Sequence, residues 1–383
     1  MSQKQPSVAI CQPAIILGGR LRAIIGIIEV LNELDIVPDI ITARMDFEPG
    51  DIKDKYGKDI QVNFRFTQPS ITRLGEWKTL EFNLGLKNYG HQYDLLINTS
   101  NSLAFLPKEN KVLTYMFYPR KSRIDASAVS IHFPEALLKP LTKAGLNRWI
   151  LRKLYKSVKL HYHHQIIAMT QFTRNALREA YPALLVDPEV IYPAVDMDVF
   201  WSTETKRQNT IVTIGRFTKD KRQLVQIQTA QKFPGFQFHI LGFAGYGDYF
   251  AECQQYIEDN QLSNVHLHSN ASFSTMLECL HSAKYLLHTL IKEPFGLTAV
   301  QAMASGCIPL VHNSGGQMET VPLSQLRYDD FDQIPQLVKV LETMTEDEIN
   351  ATRMNLQNHI RQSFDEAHFH QKMRSVLMNY LNA

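Results

Sequence analysis

The residues best suited to chemistry in this chain of 383 amino acids lie between Glu293 and Gly316, in the run Glu-Pro-Phe-Gly-Leu-Thr-Ala-Val-Gln-Ala-Met-Ala-Ser-Gly-Cys-Ile-Pro-Leu-Val-His-Asn-Ser-Gly-Gly. Glu293 falls on a loop after an apolar run, where a carboxylate can accept hydrogen bonds from ligand hydroxyls. Gly296 lets a ligand approach the backbone closely. Phe295, Gly296, Leu297 and Thr298 lead into a predicted helix, whose first N–H groups and dipole make an anion site suited to a diphosphate. Gln301 comes eight residues after Glu293, about two helical turns, which predicts that the two share one face.

A second group is cationic. In Ile214-Gly215-Arg216-Phe217-Thr218-Lys219-Asp220-Lys221, Arg216 offers a forked donor and Lys221 a point charge, a pair suited to the same diphosphate. Taken alone the two read as solvated surface cations; beside the Glu293 run they read as ligand contacts. Gly242 opens the loop Gly242-Phe243-Ala244-Gly245-Tyr246-Gly247, which follows a strand and is placed to approach a nucleotide. It does not match Gly-x-Gly-x-x-Gly, so the dinucleotide fingerprint of a nicotinamide enzyme is missing. Gly18 and Gly19 stand between a predicted strand and helix, and there a phosphate loop and a plain tight turn both stay open. His161-x-His163-His164 has no carboxylate or cysteine at ligand spacing, so no metal is expected.

These groups need elements to hold them. Short apolar runs at Val8–Cys11, Ile36–Ile41, Asp94–Asn98, Val112–Tyr118 and Gln165–Met169 read as buried strands with helical patterns between them. After a polar stretch at 201–209 a second set begins, at Ile211–Ile214, Gln237–Leu241, Val265–Leu267, Lys284–His288 and Cys307–Val311. Strands alternating with helices imply parallel βαβ units. The expected fold class is therefore α/β, with two doubly wound Rossmann-like domains facing a cleft. The expected division is 1–195, 196–365, and a C-terminal helix at 366–383 packing back on the first domain. Residues 47–77 carry no clear pattern.

Composition narrows the class. Apolar residues make up 44% and charged residues 20%, the profile of a globular protein, and the formal charge of +2 gives no global case for nucleic acid. Cys11, Cys253, Cys279 and Cys307 form no C-x-x-C pair, which points to a reducing, cytoplasmic compartment. No apolar run reaches the roughly 20 residues of a spanning helix. Between 137 and 164, Lys and Arg interleave with Leu, Trp, Ile and Tyr at helical spacing. That stretch reads as a helix lying on an anionic membrane surface or as a half-buried helix with a solvated basic face.

The Glu293 and Gly215 segments together resemble glycosyltransferase family 4, of the two-Rossmann-domain (GT-B) class. The likeness runs through 165–320, where Gln171-Phe172-Thr173 and Ile191–Asp196 also match, and is loose before it. It implies retaining transfer of a hexose from a nucleoside-diphosphate sugar to a glycan or lipid-linked acceptor, without cofactor or metal. It implies that Glu293 contacts the donor sugar and that Arg216 and Lys221 pair with the diphosphate. The family's second Glu is Gln301 here, which keeps one hydrogen bond to a ribose and loses the charge. The family's His before Pro, facing the reacting sugar, is Phe117 in Phe117-Tyr118-Pro119, and His132 in His132-Phe133-Pro134 is the other candidate. The first half is most like enzymes that add mannose to lipid carriers. A nucleotide-sugar 2-epimerase and a catalytically silent nucleotide-sugar binder remain as other readings.

Overall fold

The computed structural model describes residues 5–67, 75–119, 150, 164–182, 184, 187–245 and 248–382. Its contacts divide into two compact units, one made of Met1–Lys53, Gly57–Pro193 and Phe369–Ala383, the other of Asp54–Tyr56 and Ala194–His368.

The first unit is built on a seven-stranded sheet of β1 (Val8–Cys11), β2 (Asp39–Thr42), β3 (Asn63–Phe66), β4 (Leu95–Asn98), β5 (Val112–Met116), β6 (His164–Ala168) and β7 (Glu189–Val190). The order is β3-β2-β1-β4-β5-β6-β7 and every pair is parallel. Strands β1, β2, β4 and β5 are buried on both faces, which is why their sequences are continuous apolar runs and not alternations. Helix α1 (Gly19–Glu33) starts after Gly18, whose φ of 141° lies in the range that favours glycine. Its Gly26 is needed for packing, since an added Cβ would stand 2.9 Å from the Phe369 ring. Phe369, Met373, Val376 and Leu377, on the C-terminal helix Glu366–Asn382, are buried, so the last stretch of the chain returns to the first unit. Helix α2 (Gln171–Ala180) is capped by Thr170, whose hydroxyl accepts from the Thr173 N–H.

The second unit carries a six-stranded parallel sheet of β8 (Gln208–Ile214), β9 (Gln237–Gly242), β10 (Val265–Ser269), β11 (Ala283–His288), β12 (Ile308–His312) and β13 (Arg327–Tyr328), in the order β10-β9-β8-β11-β12-β13. Helix α3 (Gln223–Ala230) follows β8, α4 (Leu297–Ala304) follows β11, and the single turn α5 (Gln317–Thr320) follows β12. The order reverses between β8 and β11. In open α/β sheets the loops leaving the carboxyl ends of the two strands at such a reversal diverge and leave room for a ligand. The loops in question carry Arg216 to Lys221 and Glu293.

The two parallel sheets are the α/β architecture expected from the sequence. Two strands had no sequence signal. Strand β3 is largely exposed, so it lacks an apolar run, and β13 is only two residues long.

Candidate nucleotide-sugar site

The loop after β8 is held from three sides. The Gly215 N–H donates to Leu241 O at 2.9 Å, and Gln223 Nε2 donates to Arg216 O at 2.8 Å. Gly242 permits the close approach of the neighbouring strand end, because a Cβ there would stand 1.9 Å from Gly215 O. Farther along, Thr289 Oγ1 donates to Lys221 O at 2.6 Å and itself accepts from Gln226 Nε2 at 2.7 Å. Lys221 is thereby tied to the end of β11, 68 residues away in sequence.

The loop after β11 is gripped by the loop after β12. The Gly316 N–H donates to Glu293 O at 2.8 Å, and Thr320 Oγ1 donates to Phe295 O at 3.1 Å. A Cβ at Gly316 would lie 1.9 Å from Pro294 O, and one at Gly315, whose φ is 76°, would lie 2.5 Å from Glu293 O. The Ser-Gly-Gly run thus has a mechanical purpose: it brings one backbone against another to set the height of Glu293.

The two loops meet at charge. Lys221 Nζ lies 2.8 Å from Glu293 Oε2, with 22% and 17% of the side chains exposed. His288 Nε2 lies 3.6 Å from the same oxygen, and Gln317 Nε2 lies 2.7 Å from His288 Nδ1. Burial would raise the Glu293 carboxyl, but the Lys221 ammonium and His288 outweigh it and hold the group well below the usual carboxylate range. Burial pushes His288 down, with Lys221 adding to it against the pull of Glu293, so the ring is neutral. Beneath them a cavity of ≈ 10 Å³, about the room for one water, is lined by Thr213, Gly215, Lys221, Gln223, Gln226 and His288 among others.

The arrangement makes Glu293 an ionised, fixed acceptor for hydroxyl groups, beside a cation that can turn toward phosphate. Phe295 is buried and stacks edge-on against Phe364 at 5.8 Å, so its side chain is core and only its backbone faces the turn. Gly296 takes a φ of 90° and begins α4, so the amides of Leu297 and Thr298 open the helix. Glu293 precedes that helix. The expected two helical turns between Glu293 and Gln301 are therefore a loop and one turn, because the left-handed residue at Gly296 breaks the helical geometry. Gln301 is half-buried on α4, and its side chain makes no hydrogen bond with any described residue. Arg216 is exposed on its loop.

In the first unit, Gly18 and Gly19 are exposed at the start of α1, where a Cβ on Gly18 would meet nothing within 4 Å. Phe117 is buried under the Arg20 guanidinium, 5.3 Å from the ring centre, and Tyr118 stacks on Phe172 at 5.4 Å. His132, His161, His163 and nearly all of 137–164 lie outside the described residues. His164 is buried on β6 with Nε2 3.1 Å from Pro107 O. Among the described residues no group of three or more His, Cys, Asp or Glu is placed to hold a metal.

His288 and Gln317 were not singled out in the sequence. Their signal was present but indirect: His288 is the polar end of an apolar strand that leads to Glu293, and Gln317 follows Ser-Gly-Gly directly.

Two units, each built on a parallel α/β sheet, make the fold shared with solved GT-B glycosyltransferases. Residues 198–362, within the second unit, match the family described as glycosyl transferases group 1. The chain is 23% identical over 371 residues to the alpha-1,3/1,6-mannosyltransferase ALG2 of Saccharomyces cerevisiae, covering 82% of this chain and 71% of that one. It is 23% identical over 223 residues to the enzyme of the same name from Homo sapiens, a match that covers 50% of this chain and about half, 52%, of the human protein. A Mus musculus protein named GDP-Man:Man(3)GlcNAc(2)-PP-Dol alpha-1,2-mannosyltransferase is 28% identical over 145 residues, 33% of this chain and 30% of its own. Among solved structures, Anabaena HepE in complex with UDP-glucose superposes with a TM-score of 0.72 at 17% identity, over 98% of this chain and 100% of that one. WaaG, a glycosyltransferase of lipopolysaccharide biosynthesis, does so with 0.73 at 13%, over 96% and 99%. At such identities the structural likeness speaks for the fold alone.

Proposed function

We propose that the chain is a retaining glycosyltransferase of family 4 that moves mannose, or a closely related hexose, from a nucleoside-diphosphate sugar to a lipid-linked glycan. The observation that carries the reading is the Lys221–Glu293 pair at the sheet reversal. It is supported by the mannosyltransferase names of the relatives, one of which names a GDP-mannose donor and a dolichol-diphosphate glycan. Those relatives are transferases and lend the 2-epimerase reading no support.

In this reading Glu293 accepts hydrogen bonds from donor hydroxyls and fixes the sugar. Lys221 and Arg216, with the first amides of α4, bind the diphosphate and stabilise the charge that grows there as the bond from anomeric carbon to phosphate oxygen breaks. The acceptor hydroxyl forms its new bond on the same face of the sugar, and its proton passes to the leaving phosphate. A carboxylate held ionised is a poor proton donor, which suits Glu293 to positioning and not to general acid work. In the same reading Gln301 contacts the ribose. No metal or organic cofactor is assigned a step.

The acceptor reading implies contact with a bilayer. No helix among the described residues is long and apolar enough to cross a membrane. We assign surface attachment, on the cytoplasmic face, to the basic stretch 137–164, where each Lys or Arg near anionic lipid contributes about 1 kcal/mol.

The test is a panel of GDP-mannose, GDP-fucose, UDP-glucose and UDP-N-acetylglucosamine offered with lipid-diphosphate acceptors, with products read by mass spectrometry and anomeric configuration by NMR. Transfer of one hexose with retention is expected. Donor turnover without acceptor would favour the epimerase, and binding without any turnover would leave a silent binder. Co-sedimentation with vesicles at low salt should favour anionic over neutral lipid and fade at high salt. Equal binding to both, or none to either, removes the membrane role of 137–164.

A further inference from the structure

His288 ends β11 with 5% exposure and stands between two side chains with opposite demands. The Glu293 carboxylate, ionised by Lys221, is 3.6 Å from Nε2, which favours a hydrogen on that nitrogen. The ring is neutral, so Nδ1 then carries the lone pair. Gln317 Nε2, 2.7 Å away, donates to it. This orientation leaves Gln317 Oε1 buried without a partner among the described residues, on a residue with no exposure at all. Such an orphan carbonyl typically costs about 1–3 kcal/mol. Turning the amide over would pair Oε1 with a hydrogen on Nδ1, but would then set the bare lone pair of Nε2 against the carboxylate. A leucine would fill the same space without an orphan. Gln317 also packs the Glu293 loop from beneath, since its Cγ would be 3.0 Å from a Cβ at Gly296.

The pairing of Lys221 with Glu293 raises a further need. If Lys221 turns toward a donor diphosphate, Glu293 loses its nearest cation at the moment its orientation counts most. His288 Nε2–H is then the group left to hold it, from a strand end that also carries the Tyr328 hydroxyl bond to His288 O at 2.6 Å. We propose that Gln317 and His288 are positioning residues, Gln317 locking the imidazole as the Nε2–H form and His288 holding the Glu293 carboxylate toward the donor sugar when Lys221 engages the diphosphate. The inference rests on the proposed role of Glu293 in sugar binding.

The test uses the full chain labelled with 15N-histidine, the His288 resonances being assigned by their loss in His288→Asn. At neutral pH the spectrum should show a protonated Nε2 and a bare Nδ1, and in Gln317→Glu a hydrogen on Nδ1. A protonated Nδ1 in the unsubstituted protein overturns the proposal, whatever its activity. Kinetics make the second arm. His288→Ala and Gln317→Leu should lower kcat by up to about 100-fold, the size of loss that a misplacement of about 1 Å in a reacting ligand can cause. Affinity for the nucleoside diphosphate alone should hold, and His288→Asn, which keeps an N–H toward Glu293, should restore part of kcat. Gln317→Glu should move the acid limb of the kcat profile to higher pH. Unchanged kcat in folded His288→Ala, or equal losses of kcat and diphosphate affinity, overturns the positioning role. If the unsubstituted chain transfers no sugar from any donor, the proposed function fails, and the tautomer spectrum still decides the Gln317–His288 lock.

Discussion

At Glu293, a carboxyl that burial would neutralise is held ionised by one ammonium at 2.8 Å, with the His288 ring 3.6 Å away adding to the effect. Removing either end of that pair has separable consequences. Glu293→Ala should leave the fold intact and lower turnover by about 100-fold or more, because in the proposed role the lost contacts are those to the reacting sugar. Saturating donor rates close to those of the unsubstituted protein would take the sugar site away from this loop. Lys221→Met should cost a similar factor through the leaving diphosphate, about 2.7–4 kcal/mol in the transition state. It should also raise the Glu293 carboxyl toward the usual range, so that the variant loses activity at a higher pH on the acid side. Gln301→Glu addresses ribose: with no hydrogen bond to break among the described residues, it should fold normally and change donor affinity or base preference. A donor panel identical to that of the unsubstituted chain would show that the side chain does not touch the nucleotide.

Elements enter where loops are pressed together. The stretch that carries Glu293 has no regular structure of its own and takes its shape from Gly315 and Gly316, whose backbone lies against it. Gly316→Ala puts a Cβ where Pro294 O already stands, so one loop must shift. Overpacking of this kind usually costs about 1–3 kcal/mol. The expected result is a lowered Tm with nucleoside diphosphate binding largely kept and turnover mostly lost, measured by thermal unfolding, calorimetry and assay on one preparation. Full turnover in Gly316→Ala would mean that the position of Glu293 tolerates displacement. Gly242 makes the same point at β9: a residue read from sequence as a ligand contact is required by the close approach of Gly215, whatever else it touches. The Glu293-to-Gln301 spacing was misread at this scale, because a helical period was applied across Gly296, where the chain is left-handed and the helix has not begun.

On the scale of the whole molecule, the chain leaves the first unit at residue 193 and returns to it at 369. The returning helix is secured to α1 by charge as well as by its apolar face. His370 Nδ1 lies 2.7 Å from Glu33 Oε1, its Nε2 lies 3.9 Å from Glu29 Oε2, and Arg374 donates to Glu33 at 2.6 Å. Glu29 raises His370 above its ordinary value, against burial and with help from Glu33, while Glu29 is itself lowered to about 2 as His370, Arg22 and Lys58 outweigh burial. A histidine raised on folding stabilises fully below its unfolded value, about 6.5, and loses that contribution as pH climbs through the folded value. His370→Gln should therefore lower Tm most near pH 6 and progressively less by pH 8 or 9. With Glu33 exposed, about 1 kcal/mol is a fair size, or roughly 2–4 °C for a unit of this length. A deficit that stays constant with pH would mean that the histidine packs there without its charge.

Much was legible in the sequence itself. Strands buried on both faces must be continuous apolar runs, so β1, β4, β8, β9, β11 and β12 stood out, and their alternation with helices implied two parallel sheets. Glu293, Arg216, Lys221 and the Ser-Gly-Gly run were visible because their types and spacing are unusual together. Other features needed the third dimension. Strand β3 is held by pairing with β2 and not by an apolar pattern, and β13 is too short to have a pattern at all. The pairing of Lys221 with Glu293 joins residues 72 apart, and that of Gln317 with His288 joins residues 29 apart. Nothing local specifies such contacts, since the first arises because β11 lies beside β8 at the sheet reversal and the second because β12 lies beside β11. The sequence by itself determined which side chains are available for the chemistry. The tertiary structure decided which of them meet, and it made a strand-end histidine and a buried glutamine neighbours of the carboxylate, because packing and strand order, not spacing along the chain, bring distant charges within a hydrogen bond of each other.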